Sequence, residues 1–399
     1  MVGYFGQKLQ EVLDALLEPF WCRVSAWTKD LSWQWRTLLL VLAGLVALVA
    51  AYWNSLPLFY RTAAAFGKTV TSAPTPIPLD SSLTFKLRET SRRLAEGLRA
   101  DLNDPENLDP PSAWTLAQLT AASSGMSKIK AEVVRTHFSK NTEIACNCWQ
   151  ETSDSRPNIA VSGWVLFALA ELNFPATEAE VRFFLKEQKR DGWWPVFQAT
   201  DDQTNASTFG TAWALIGLQT QLRNKLIPQT MEEEVSNAIG KGSSWLIRHR
   251  GSGSRWRDYP FQEKGANSDS LSGLIMHALH LTASDSIKQL KKEWLDNLPS
   301  KVPAAGDASQ SYVWVKLRVG TPFKDDFVQI ALPWMLIATA DAYDVGNYFE
   351  RTRTLIWMEQ ALYQDSVIHA DTQVENWWRA EFLLALRYVL APSTLPSRW

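Results

Sequence analysis

Three cysteines in 399 residues are too few for a disulfide framework, and Cys146-Asn-Cys148 is too tightly spaced for an unstrained bridge or an ordinary zinc knuckle. The thiols therefore read as unpaired. A metal held by Cys146, Cys148 and His137 is the alternative, but no metal or cofactor is expected. Neither sign of charge is in excess: 40 Lys and Arg stand against 42 Asp and Glu, which leaves no basic surplus for phosphates and disfavours nucleic acid as a partner. Glycine-rich phosphate loops, a Gly-x-Ser-x-Gly elbow and His-Glu-x-x-His are all missing. Nucleotide hydrolysis, serine hydrolysis and zincin chemistry have no support. Histidine is scarce too, and of five residues only His277 and His280 pair on one helix, at i and i+3, where they read as core or rim side chains.

What abounds is tryptophan, with 20 residues against 17 Phe and 9 Tyr. The sharpest context runs from Arg182 to Pro195 and ends in Asp191-Gly-Trp-Trp194; a polar loop and a small-residue-rich apolar segment, Ala206 to Leu218, follow it. The same order of parts returns at Gly242 to Trp256 and Asn267 to Leu279, and more weakly at Trp149 to Ala170 and Trp314 to Ile337. Trp194 and Trp256 precede the glycine of their next helix, Gly210 and Gly273, by 16 and 17 residues, a regularity that argues for duplication.

Apolar segments at 113–119 and 382–390 extend the series to six candidate inner helices. Between them lie segments with one apolar stripe, such as 178–189, 231–249 and 287–298. A helix apolar on most faces must be buried, whereas a one-striped helix can face water, so their alternation predicts concentric rings. The expected fold is all-α, an α/α toroid of about six helical hairpins. An open solenoid of helical pairs obeys the same neighbour rule and is the alternative.

Phe184-Leu-x-x-Gln188-x-x-x-Gly192-x-Trp194 resembles the QW repeat of squalene-hopene cyclases and related terpene cyclases, and the wider pattern is similar to prenyltransferase beta subunits. The resemblance spans residues 81–390 and implies a structural role for Gln188 and Trp194, tying an outer helix's end to its neighbour. In the second copy His249 or Arg250 stands where the glutamine would be. The family's chemistry does not carry over. The Asp-x-Asp-Asp acid cluster, Asp-Asp-x-x-Asp and the Asp-x-Cys zinc element are all absent, so the resemblance implies fold rather than activity.

Residues 37–60 carry no charge, and the apolar run at its centre predicts a transmembrane helix over 34–60. Trp33, Trp35, Tyr52 and Trp53 sit where interfacial belts fall. The predicted organisation is an amphipathic segment at 1–33, this helix, a Pro-rich linker at 61–80 and a toroid domain at 81–399. The location it implies is a lipid bilayer crossed once. Lys8, Arg23, Lys29 and Arg36 favour the N-terminus inside, while unpaired thiols favour a reducing compartment for the large domain, so its side stays open. Ala43, Ala47 and Ala51 form a stripe for homo-oligomer contact, and the acidic amphipathic face of residues 1–20 suits a protein partner.

Polar residues gather just before the inner helices. Asp202, Asp326 and Glu375 are the candidate catalytic carboxylates there, placed for converging at one mouth of the ring, and helix capping is the competing use. Trp164, Trp213, Trp334 and Trp377, with Asn205 and Asn267, are the candidate binding residues for a small-molecule, lipid or peptide ligand; packing is the competing use of the tryptophans. The leading reading is a membrane-anchored binding or interaction module. An enzyme acting on an isoprenoid, lipid-linked or glycan substrate, and a structural subunit of a membrane complex, are the alternatives. Residues 309–320 alternate like a strand and suggest a hairpin over one mouth.

Overall fold

The computed structural model describes residues 77–103, 113–123, 131–139, 142–143, 147–150, 157–197, 202–261, 267–282, 287–299, 331–364 and 376–390. The chain divides into two units, Met1–Ala73 and Pro74–Trp399, and all described residues belong to the second.

Twelve α-helices run through the described residues, alternately outer and inner. The outer ones are α1 (Ser81–Asn103), α3 (Ala131–Ser139), α5 (Glu178–Glu187), α7 (Glu232–Arg248), α9 (Ile287–Asp296) and α11 (Tyr348–Gln364). The inner ones are α2 (Ala113–Ser123), α4 (Ile159–Glu171), α6 (Thr208–Arg223), α8 (Asp269–Leu281), α10 (Ala331–Ala342) and α12 (Asn376–Leu390). Each inner helix packs on the next, and α12 returns to α2, so the ring closes. Across that seam the Gln118 amide donates to Glu381 at 2.9 Å and the Arg387 guanidinium donates to the Ala121 carbonyl. A two-stranded antiparallel pair, β1 (Thr142–Glu143) and β2 (Cys148–Trp149), precedes α4.

Burial follows the sequence pattern. Every residue from Ile159 to Ala170 in α4 is buried, because an inner helix meets neighbours on all sides. In α7 the buried residues are Val235, Ala238, Ile239, Gly242, Ser243, Trp245 and Leu246, a stripe of period near 3.6. Inner helices approach to backbone contact at glycine. A Cβ on Gly163 of α4 would lie 2.4 Å from the Trp213 carbonyl oxygen of α6.

The tryptophan turns are one device used repeatedly. Trp194 Nε1 donates to the Phe184 carbonyl at 2.7 Å, and Trp256 Nε1 to the Leu246 carbonyl at 2.9 Å, each ten residues back at the end of its outer helix. The backbone N–H of Trp149, Trp194 and Trp256 donates in turn to Ser162, Thr211 and Ser272 on the following inner helix. An indole thus buries its ring and satisfies its N–H while fastening outer helix to inner. Gln188 Nε2 donates to Gly192 O at 3.0 Å and to Ala238 O of α7 at 2.8 Å, linking successive outer helices. At the same offset from Trp256, Arg250 reaches Glu293 of α9 at 3.6 Å, so it stands in the place of the glutamine.

Two expectations are corrected. Cys148 is disulfide-bonded, so it is neither a free thiol nor a metal-ligating thiolate. The single-pass membrane location is also overturned: among the described residues no helix is long and apolar enough to cross a membrane. The physical reason is that the apolar helices are the inner staves, the longest of them the 16 residues of α6, and about 20 are needed to span a bilayer. The 34–60 segment lies outside the described residues, as do residues 1–20, the Ala43–Ala47–Ala51 stripe and the strand-like 309–320 stretch. Of the 61–80 linker, residues 77–80 are described; Ile77 is buried against the ring and Asp80 caps α1.

Candidate functional site

All inner helices point the same way, so the ring has one mouth at their N-terminal ends and one at their C-terminal ends. The N-terminal mouth holds the caps. Asp202 accepts the Thr204 N–H at 2.9 Å, and hydrogen bonding from the Thr204 backbone and side chain holds its exposed carboxyl below the ordinary carboxylate range. Asn205 ends the same short 3-10 turn, Gln203–Asn205. Asn267 precedes α8, beside Gly251. Asp326 and Glu375 lie outside the described residues.

Trp164, Trp213 and Trp334 meet at the centre of the ring. The first two stack with ring centroids 4.0 Å apart, and Trp334 stands edge-on to Trp213 at 5.4 Å. All three are sealed from solvent, at 0–1% exposure, so their indoles fill the space that the inner helices enclose. Trp377 lies in the first turn of α12.

Beyond the tryptophans, toward the C-terminal mouth, the ring gathers charge. His277 Nδ1 donates to Asp341 Oδ2 at 2.7 Å, and both side chains are almost wholly buried. His280 Nε2 faces the other oxygen, Oδ1, at 3.4 Å, while its Nδ1 lies 2.5 Å from the Lys291 ammonium. One buried carboxylate therefore serves two imidazoles, and a lysine from the outer helix α9 backs the second. Tyr388 of α12 sets its ring edge-on to His277 at 4.9 Å, and its phenol and the Arg223 guanidinium both feel the Asp341 charge. Arg387 pairs with Glu171 at 2.7 Å on the adjoining wall.

Each of these groups stands in the last turns of an inner helix, except Lys291. Five apolar staves end in ionisable residues, which the parallel arrangement brings to one place. The energetics follow from burial. It would raise Asp341, but the charges of His280 and His277 and the hydrogen bond from His277 outweigh it and hold the carboxyl below its usual value. Burial pushes His280 down to about 4 against the pull of Asp341, with Lys291, His277 and Arg223 adding to the fall. Its side chain still keeps 22% of its surface open. Burial likewise lowers Lys291 and Arg223 and raises Tyr388. At neutral pH the mouth thus holds a carboxylate, a neutral imidazole and cations together. Among the described residues no group of three or more His, Cys, Asp or Glu could hold a metal ion.

No protein-family model matches the sequence, and no curated protein matches it. Solved structures share its architecture. A sugar epimerase from a ruminal bacterium aligns with a TM-score of 0.52 at 7% identity, over 78% of this chain and 99% of that one. A type II terpene cyclase from Scytonema, solved with geranylgeranyl dihydroxybenzoate, aligns at 0.48 and 11% identity, over 78% and 99%. A glycoside hydrolase of family 105 from C. acetobutylicum gives 0.39 and 11%, over 63% and 71%. The likeness is one of fold, the α/α toroid.

Sequence reasoning set aside the two residues at the heart of this cluster. His277 and His280 were visible as an i, i+3 pair, but Asp341 lies 64 residues from His277 and Lys291 sits on a different ring. The usable signal was positional: an apolar helix that ends in a charged side chain, repeated at Glu171, Arg223, His280, Asp341 and Arg387.

Proposed function

We propose that this toroid is an enzyme that moves a proton on a sugar or similar hydroxyl-rich substrate, with its acid–base centre at the mouth formed by the C-terminal ends of the inner helices. The observation that carries this reading is the pair of imidazoles held on one buried carboxylate, His277–Asp341–His280. His280 is neutral at working pH and partly open, so it is the base. Asp341 positions it and stabilises the imidazolium that forms when it takes a proton. Lys291, released from Nδ1, and Arg223 supply positive charge where an oxyanion develops on the substrate. A mouth lined by ionic groups suits hydroxyls better than an isoprenoid chain, and the tryptophans that would line an apolar cavity are packed against each other. That a sugar epimerase shares the ring supports the substrate class.

The test is exchange. The protein is incubated with a panel of aldoses, ketoses and N-acetylated sugars in deuterium oxide, and incorporation at carbon is followed by mass spectrometry and proton NMR. Incorporation or a stereochemical change is expected with at least one member, and is lost in His280→Gln. A panel without exchange, or exchange unaltered in His280→Gln, contradicts the reading.

A further inference from the structure

The two clear tryptophan repeats align when Trp194 is set on Trp256, and around that shared tryptophan their turns differ in size and charge. Where the first repeat has Lys189 and Arg190, the second has Gly251 and Ser252; where the first continues Pro195-Val196-Phe197, the second continues Arg257-Asp258-Tyr259. The backbone confirms the register, because the Ile159 N–H donates to the Val196 carbonyl and the Thr208 N–H to the Asp258 carbonyl, at 2.8 and 2.9 Å. Two bulky side chains have thus been trimmed and an apolar tail has become charged.

The trimmed loop opens a cleft of about 500 Å³ lined by His249, Arg250, Gly251, Ser252, Arg257 and Asn267, with Pro260 at its edge. These side chains bring guanidinium, hydroxyl, amide and imidazole groups, and among the described residues no carboxylate lines it. Two acids lie nearby without lining the cleft. Asp258 turns its Oδ1 to the Ser207 hydroxyl at 2.6 Å and the Phe209 N–H at 3.1 Å, on the ring side. Glu293 pairs with Arg250 at 3.6 Å from outside the cleft lining and also accepts from Ser254. Arg257 is held in place by its bond to the Pro260 carbonyl at 2.8 Å, and His249 by its Nδ1 on the Trp245 carbonyl at 2.9 Å, between the rings of Trp245 and Phe261. A fixed guanidinium with neutral donors beside it, as at Arg257, is what a carboxylate or phosphate oxygen selects.

We infer that this cleft is a second ligand site, distinct from the His277–Asp341–His280 centre, and that it binds an oxyanion group, phosphate or carboxylate, of a small molecule. The inference is independent of the proposed activity. Inorganic phosphate and, in a separate arm, acetate are titrated into the full chain and followed by intrinsic tryptophan fluorescence and thermal unfolding, with chloride at matched ionic strength as the control. Saturable binding in the millimolar range or tighter is expected for at least one of the two, and the tighter arm names the source chemistry. Arg257→Gln weakens it by about tenfold, the loss of one charge-assisted contact. Ser252→Asp, at an exposed position, abolishes it, whereas Glu178→Gln, on the exposed face of α5, leaves it unchanged. A response no greater than that to chloride, or one equal in wild type, Arg257→Gln and Ser252→Asp, overturns the inference.

Discussion

Burial acts with opposite signs at two residues of this ring, and each leaves its mark on the pH dependence of stability. His280 has a folded value of about 4, below the ordinary histidine value of 6.5, so the unfolded chain binds its proton first. Stability from this group is present above pH 6.5 and is lost as pH falls toward 4. Asp258 is pushed up to about 6 by burial, against the hydrogen bonds from Ser207, Phe209 and Thr208, and its Oδ2 has no partner among the described residues. Its contribution is present below about pH 4 and is lost as pH rises through 6. Asp258→Asn keeps the acceptor oxygen and removes the charge. It should therefore match wild type near pH 4 and exceed it at pH 7, by on the order of 1–3 kcal/mol in denaturant unfolding. A variant less stable than wild type at pH 7 would show that the Asp258 carboxylate is favourable where it sits. At the other mouth Asp341→Asn leaves two imidazoles without their carboxylate and should cost about 3–5 kcal/mol at pH 7, the usual penalty for breaking a buried pair.

At the scale of elements, fastening is done by short hydrogen-bonded devices and close approach is set by glycine. Gly163→Ala puts a methyl group 2.4 Å from the Trp213 carbonyl oxygen, so α4 and α6 must separate. The expected loss is about 1–3 kcal/mol, read as a lower denaturation midpoint with an unchanged slope. An unaltered midpoint would mean that the two helices are not in backbone contact. This is also the scale at which the sequence was most legible. The Trp–Gly turns and the alternation of striped and uniformly apolar segments are local, and the link of Gln188 across to α7 follows the role that the repeat resemblance implies. Cys148 was misread because the chain's spacing rules say which bridges are unstrained, not whether a thiol is paired.

The whole molecule adds what no segment contains. A closed ring of parallel inner helices converts the last turn of each into one surface, so residues from Glu171 to Tyr388, spread over most of the described chain, become neighbours. That convergence is illegible in the sequence because it depends on ring order and on the phase of each helix. Asp202 accepts the Thr204 N–H at the start of the short turn Gln203–Asn205, a local bond that the sequence pattern makes legible as a cap.

His280 reads this assembly directly, because its proton affinity is set by groups on α6, α8, α9 and α10 at once. Its ring nitrogens can be followed by long-range nitrogen–proton NMR of the 15N-labelled protein, with the resonance assigned by its absence in His280→Gln. The account predicts an imidazole that stays neutral from pH 8 down to about 4, and a value that falls further in Asp341→Asn as the attracting carboxylate is removed. A His280 that titrates near 6.5, indifferent to Asp341→Asn, would contradict it.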